Sequence, residues 1–150
     1  MIDASSHLLR SNFRRTCWTI NNPYSEDFIN LRVCLTKELF LFMQESSKQV
    51  VLKIIEQLNP SSVLDVPCGD GWLSKKIKDT IQIDGIDLYG EEALGYRKWR
   101  RFDLDGGLPS DLGTYDCIVS CEGIEHIGNP ELFLRTAYTH LNHEGTILLT

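Results

Sequence analysis

Two spacings of apolar residues divide this chain. Residues 1–24 carry no clear period. From there to about residue 58 the apolar positions recur with helical spacing. Phe28, Leu31, Val33, Cys34, Leu35, Leu39, Phe40, Phe42 and Met43 predict a helix over 26–44, and Val50, Val51, Ile54, Ile55 and Leu58 predict a second over 46–58. Ser46 with Gln49 has the form of a capping box, and Asn59-Pro60 ends the second helix. After Pro60 the apolar runs become short and turn-bounded. They predict strands at 62–66, 81–86, 99–102, 115–120 and 146–150. Between them fall helices at 72–79 and 91–96, a helix capped at Asn129-Pro130 that runs to Leu141, and an exit turn at 142–145.

Short buried strands alternating with helices predict an α/β fold, a mostly parallel sheet with helices on both faces. On this reading residues 1–45 are an added helical extension or lid, and 46–150 form the sheet-bearing domain. The fifth strand closes at Thr150, which leaves its sheet edge bare unless further strands belong beside it. Strands beyond the fifth are therefore expected to be missing from this chain.

Composition narrows the partners more than the fold. At 150 residues, 42% hydrophobic and 24% charged, the chain suits one ordinary globular domain. A net charge of −6 disfavours broad binding to nucleic-acid phosphates, and Arg97, Lys98, Arg100 and Arg101 read as a solvated face beside a strand. No apolar run reaches the roughly 20 residues that span a bilayer. The first residues lack the basic-then-apolar pattern of a secretory signal. The five cysteines are odd in number and include no Cys-x-x-Cys pair. That excludes neither free thiols nor small apolar packing, but it argues against a disulfide framework or a zinc site and for a reducing, cytoplasmic setting.

The chemistry concentrates at strand ends. Val63-Leu64-Asp65-Val66-Pro67-Cys68-Gly69-Asp70-Gly71 reads as a buried strand that ends on an acid and enters a glycine turn. Gly69 and Gly71 have no side chain to keep a ligand off the backbone, and a helix start after them offers free N–H groups. Such a cradle at the carboxyl end of a parallel strand suits a nucleotide-type ligand. Asp87 closes the second strand, where a carboxylate's two oxygens can take both ribose hydroxyls. Asp103-Leu104 follows the third strand and Cys121 to His126 the fourth. A nicotinamide fingerprint fails in either phase, since Pro67 replaces its first glycine or Ser74 its third. Gly71-Trp72-Leu73 is not the Gly-Lys-Ser or Gly-Lys-Thr of a phosphate loop.

Asp65-x-x-x-Gly69-x-Gly71, then Asp87, Asp103-Leu104 and Tyr115 to Ser120, resembles the class I S-adenosylmethionine-dependent methyltransferases over about residues 47–150. Gly123 to Glu131 is similar to the small-molecule branch of that family. The resemblance implies a Rossmann-like sheet, S-adenosylmethionine as cofactor and a small-molecule methyl acceptor. It implies that Gly69 and Gly71 approach the methionine half, and that Asp65 holds the loop and reaches the amino group through water. Asp87 would hold the ribose, Leu88 would lie on the adenine face, and Asp103 and the Leu104 N–H would meet the adenine edge. Pro67, Cys68 and Glu122 complete the implied cofactor-binding set. Pro67 departs from the family's glycine, and proline removes one N–H donor from the turn.

Methyl transfer needs an aligned acceptor, a dry site and, for a hydroxyl, a base. The loop after the fourth strand supplies His126 and Glu125 as candidate catalytic residues, with the imidazole favouring an oxygen acceptor. Glu122-x-x-Glu125-His126 also resembles the metal-binding pattern of small-RNA 2′-O-methyltransferases and ubiquinone-pathway O-methyltransferases. On one helical turn these three would share a face and could hold a divalent ion. A metal-assisted RNA or quinone-precursor O-methyltransferase and a non-catalytic cofactor-binding domain stand as alternatives. Oligomeric state is not legible.

Overall fold

The computed structural model describes residues 17–18, 33–35, 43–77, 79–89 and 95–150. The elements are β1 (Cys17–Trp18), β2 (Val33–Leu35), α1 (Met43–Leu58), β3 (Ser62–Asp65), β4 (Gln82–Asp87), β5 (Lys98–Arg101), β6 (Tyr115–Ser120), α2 (Pro130–Thr139) and β7 (Leu141–Leu149). They form one sheet in the order β1-β2-β7-β6-β3-β4-β5. Every neighbouring pair is parallel except β1 with β2.

The central strands are apolar in succession because both faces of the sheet are covered. Alternate residues go to opposite layers. Val63, Ile83, Cys117, Val119 and Leu148 pack with Val51 and Ile55 of α1 and with Leu73. Leu64, Val66, Ile86, Ile118, Ile147 and Leu149 pack with Phe133 and Ala137 of α2 and with Leu104 and Leu108. The expected α/β architecture with a helix on each face is therefore the observed one. Asn129 caps α2 through its side chain, which accepts from the Leu132 N–H at 3.1 Å, and Pro130 opens the helix as the sequence predicts.

Several local expectations are corrected. The predicted helix over 26–44 gives way to strand at Val33–Leu35, which pairs with Ile147–Leu149. An otherwise bare β7 edge offers those three residues a ladder, and pairing outweighs their helical spacing. Other residues of that helix, and most of the proposed 1–45 lid, lie outside the described residues. The second helix begins at Met43, so Ser46 and Gln49 stand inside it and the capping box does not form its start.

Residues 69–76 form consecutive turns instead of the predicted 72–79 helix. The Ser74 hydroxyl donates to the Gly71 carbonyl at 2.9 Å, and the Lys75 N–H reaches that same carbonyl only at 3.4 Å. A side chain competing for the backbone acceptor loosens the ladder there. In the predicted 91–96 helix, Gly95 sits at φ +89 and neither it nor Tyr96 is helical, while 91–94 lie outside the described residues. The exit turn at 142–145 becomes part of a longer β7, as an irregular stretch between the Tyr115–Leu141 and Cys117–Thr146 pairs.

Candidate functional site

The tips of β3 and β4 are tied to each other through the glycine turn. The Cys68 N–H donates to the Ile86 carbonyl at 2.9 Å. The Gly69 N–H donates to Asp87 Oδ2 at 2.8 Å, and the Tyr89 N–H donates to Asp87 Oδ1 at the same distance. Asp87 is therefore first a clamp that fixes the turn, each of its oxygens accepting a backbone N–H. Gly69 and Gly71 have φ of +52 and +72, a conformation that side chains resist. A Cβ built on Gly69 would meet nothing within 4 Å, so the turn is open on that side.

Pro67 is accommodated by Gly123. A Cβ built at 123 would overlap the Pro67 ring and come within 3.0 Å of the Ser120 hydroxyl. The loop after β6 can approach the proline only because residue 123 has no side chain. The N–H that proline lacks is not missed by the turn, whose hydrogen bonds come from Cys68, Gly69 and Gly71.

Asp65 is fully buried. Its Oδ2 accepts from the Tyr96 hydroxyl at 2.7 Å, whereas its Oδ1 is buried with no hydrogen-bond partner. Burial pushes its carboxyl from 3.8 up to about 7, opposed by the Tyr96 bond and reinforced by the negative charges of Asp87 and Asp70. Burial also pushes the Cys68 thiol up to about 12, which keeps it protonated and removes it as a nucleophile.

The third tip lies next in the sheet. The Phe102 N–H donates to the Asp87 carbonyl at 3.0 Å, which brings the Asp103 segment beside the β4 tip. Asp103 Oδ1 accepts from the Asp105 N–H at 3.0 Å and caps a 3₁₀ turn over Leu104–Gly106. Asp103 is exposed and Leu104 buried, while Leu88 is half-buried beside Asp87. Asp105 Oδ1 in turn accepts from the Gly128 N–H at 2.6 Å, linking this tip to the loop after β6.

That loop carries the candidate base. Ile124–His126 form a single 3₁₀ turn. His126 Nε2 lies 3.9 Å from Glu125 Oε1, with the histidine side chain 78% exposed. Glu122 stands before the turn at φ +52, and its N–H is held by Thr150 Oγ1 at 3.1 Å. The expected shared helical face of Glu122, Glu125 and His126 is thus not formed, because the turn is too short to include residue 122. Among the described residues no group of three or more His, Cys, Asp or Glu side chains is placed to hold a metal ion.

Sequence reasoning missed Tyr96, Gly123 and Thr150 as parts of this site. Gly123 was legible only as the first residue of the stretch that resembles the small-molecule branch of the family. Nothing local to Tyr96 or Thr150 signals contact with a residue about thirty positions away.

Comparisons with known proteins give the family and the fold. Residues 39–150 match the family model described as a methyltransferase domain. The mitochondrial ubiquinone biosynthesis O-methyltransferase of Saccharomyces cerevisiae is 33% identical over 99 residues, covering 58% of this chain and 32% of that protein. Its Rattus norvegicus counterpart is 26% identical over 107 residues, covering 62% of this chain and 31% of that protein. The match thus spans less than a third of the length of these relatives. Among solved structures, StiE O-MT residues 961–1257 superpose with a TM-score of 0.56 at 19% identity, over 70% of this chain and 43% of that one. The plantazolicin methyltransferase BpumL in complex with SAH gives 0.52 at 24% identity, over 71% and 45%. Those structures share the fold of this chain. Among the described residues no helix is long and apolar enough to cross a membrane.

Proposed function

The chain belongs to the methyltransferase-domain family, and from that premise we propose that it binds S-adenosylmethionine and transfers the methyl group to an oxygen of a small molecule. The observation that carries this reading is the clasp of the Gly69 N–H by Asp87 beneath an open glycine turn, with a buried, unpartnered Asp65 oxygen beside it. These features fit the cofactor. A backbone without a Cβ admits the methionine half, an orphaned acceptor suits an ammonium, and the Asp87 carboxylate at the β4 tip stands where a ribose would lie. Leu88, Asp103 and the Leu104 N–H would hold the adenine, while Pro67, Cys68 and Glu122 shape the wall of the cradle.

The bound cofactor supplies an activated methyl and its own leaving group. The protein's part is to orient the acceptor, exclude water and take up one proton. His126 would accept the proton of the acceptor hydroxyl at its imidazole, with Glu125 beside it to favour the imidazolium that forms. The relatives named as O-methyltransferases of ubiquinone biosynthesis support an oxygen acceptor. The free thiols of Cys68, Cys117 and Cys121 support a reducing, cytoplasmic setting.

Calorimetry with S-adenosylhomocysteine tests the cradle, with the Asp87→Ala variant as the control that loses binding. Turnover of labelled S-adenosylmethionine against a panel of hydroxylated small molecules then tests the chemistry. His126→Ala should keep cofactor binding and lower turnover by about 10²–10⁴-fold. Turnover unchanged in that variant would remove His126 as the base. Binding without turnover of any acceptor would favour a non-catalytic cofactor-binding domain.

A further inference from the structure

The inference below rests on the cofactor reading above and concerns Tyr96, which lies in none of the motifs. Tyr96 stands two residues before β5, and its ring lies on Gly85 of β4. A Cβ built at 85 would sit 3.0 Å from three ring carbons, so a side chain there would displace the ring. From this seat the hydroxyl spans β4 to reach β3, because Asp65 and Gly85 are direct neighbours in the sheet. It donates to Asp65 Oδ2 at 2.7 Å. The other oxygen, Oδ1, is left as a buried acceptor with no partner. Native proteins seldom leave such an atom unsatisfied without a ligand or water to meet it.

We propose that Tyr96 is a positioning residue of the cofactor cradle, pinning one oxygen of Asp65 so that the other receives the cofactor's ammonium, directly or through one water. The groups that face Asp65 are Tyr96 from the segment before β5, Asp87 at the β4 tip, Cys68 and Asp70 in the glycine turn, and Cys121 after β6. Both thiols are pushed up by burial and stay neutral, and the two acids disfavour a further negative charge. Burial raises the Asp65 carboxyl to about 7. An arriving ammonium therefore meets a carboxyl that is partly protonated near neutral pH, and binding releases that proton to solvent. The Tyr96 hydroxyl stabilises the ionised form and sets the pH at which the cradle becomes competent.

The test is calorimetry of the full chain with S-adenosylhomocysteine between pH 6 and 8.5, for the wild type, Tyr96→Phe and Asp65→Asn, with ligand-free melting curves over the same range. Wild-type affinity should rise close to tenfold per pH unit below the Asp65 midpoint and level off above it. Tyr96→Phe should move that midpoint up by about one unit, with near wild-type affinity recovered at the alkaline end. Asp65→Asn should bind with no pH dependence. The midpoint of the ligand-free melting profile should shift in the same direction in Tyr96→Phe, a readout that needs no bound ligand. A Tyr96→Phe curve that is weaker by the same factor at every pH would mean that Tyr96 only packs, and would overturn the proposal. So would a flat wild-type curve, or an Asp65→Asn curve that keeps the wild-type slope. Failure of the wild type to bind S-adenosylhomocysteine at any pH would overturn the cofactor reading together with this one.

Discussion

Asp65 and Asp84 sit on adjacent strands of one sheet, both almost wholly inaccessible, at 0% and 4% exposure. Their chemistry is opposite. Asp84 takes a two-pronged grip from Arg97, Nε to Oδ1 at 2.9 Å and Nη2 to Oδ2 at 2.6 Å, and a third bond from the Tyr115 hydroxyl at 2.9 Å. Burial alone would raise its carboxyl, but the bonds from Arg97 and Tyr115 outweigh burial and hold it below the usual carboxylate range. Asp65 receives one neutral hydroxyl, so burial prevails and the carboxyl rises to about 7. The difference teaches that burial does not assign a role to an acid; its partners do. Asp84 lies within β4 and fastens the approach to β5 and the start of β6. Asp65 lies at the carboxyl end of β3, where sheets of this kind receive ligands, and keeps one acceptor in reserve.

The sharpest way to break this contrast is to remove the cation. Arg97→Ala should strand a buried carboxylate and cost about 2–3 kcal/mol in urea unfolding at pH 7, below the full buried-pair figure because Arg97 is half exposed. The lost grip should also raise the Asp84 carboxyl, making the pair of acids behave alike.

The next test is pH. Asp65 is raised in the folded protein, so its contribution is fully present below its unfolded value near 3.8 and is lost as pH rises through about 7. On its account stability should fall by about 2 kcal/mol between pH 5 and 8, and Asp65→Asn should flatten that decline. Asp84 is lowered, so its contribution is present above 3.8 and is lost as pH falls through its folded value. Asp84→Asn should therefore leave the neutral decline in place and change only the acid limb. Unfolding free energies measured across pH 3–8 separate the two.

A smaller effect comes from the hydroxyl partners. Tyr115→Phe should cost about 1 kcal/mol by removing one bond to Asp84, without moving the neutral-pH limb. Tyr96→Phe should move that limb instead. Equal effects of the two on the neutral limb would erase the distinction between the two acids.

How much of this was readable beforehand depends on distance along the chain. The strand from 115 to 120 appears where the apolar run places it, and the two-residue alternation of Val63 and Leu64, or Cys117 and Ile118, sends them to opposite layers. The acid at the β3 tip, the two glycines of the turn and Asp87 also stand together as their order implied. The helical spacing around Val33 misled, because an open sheet edge can recruit three residues whatever their periodicity. The chelating face of Glu122, Glu125 and His126 failed because a 3₁₀ turn of three residues begins after Glu122.

Local pattern alone places the central strands, the helices α1 and α2, the turn glycines at positive φ, and the acids that end β3 and β4. These follow from local backbone freedom and from the two- and four-residue periods of burial. It took the packed fold to set an arginine against Asp84 and a tyrosine against Asp65, and to give Pro67 room beside Gly123. Those outcomes depend on which strands lie side by side, and strand order brings together residues such as Pro67 and Gly123, fifty-six positions apart, whose encounter no local pattern encodes.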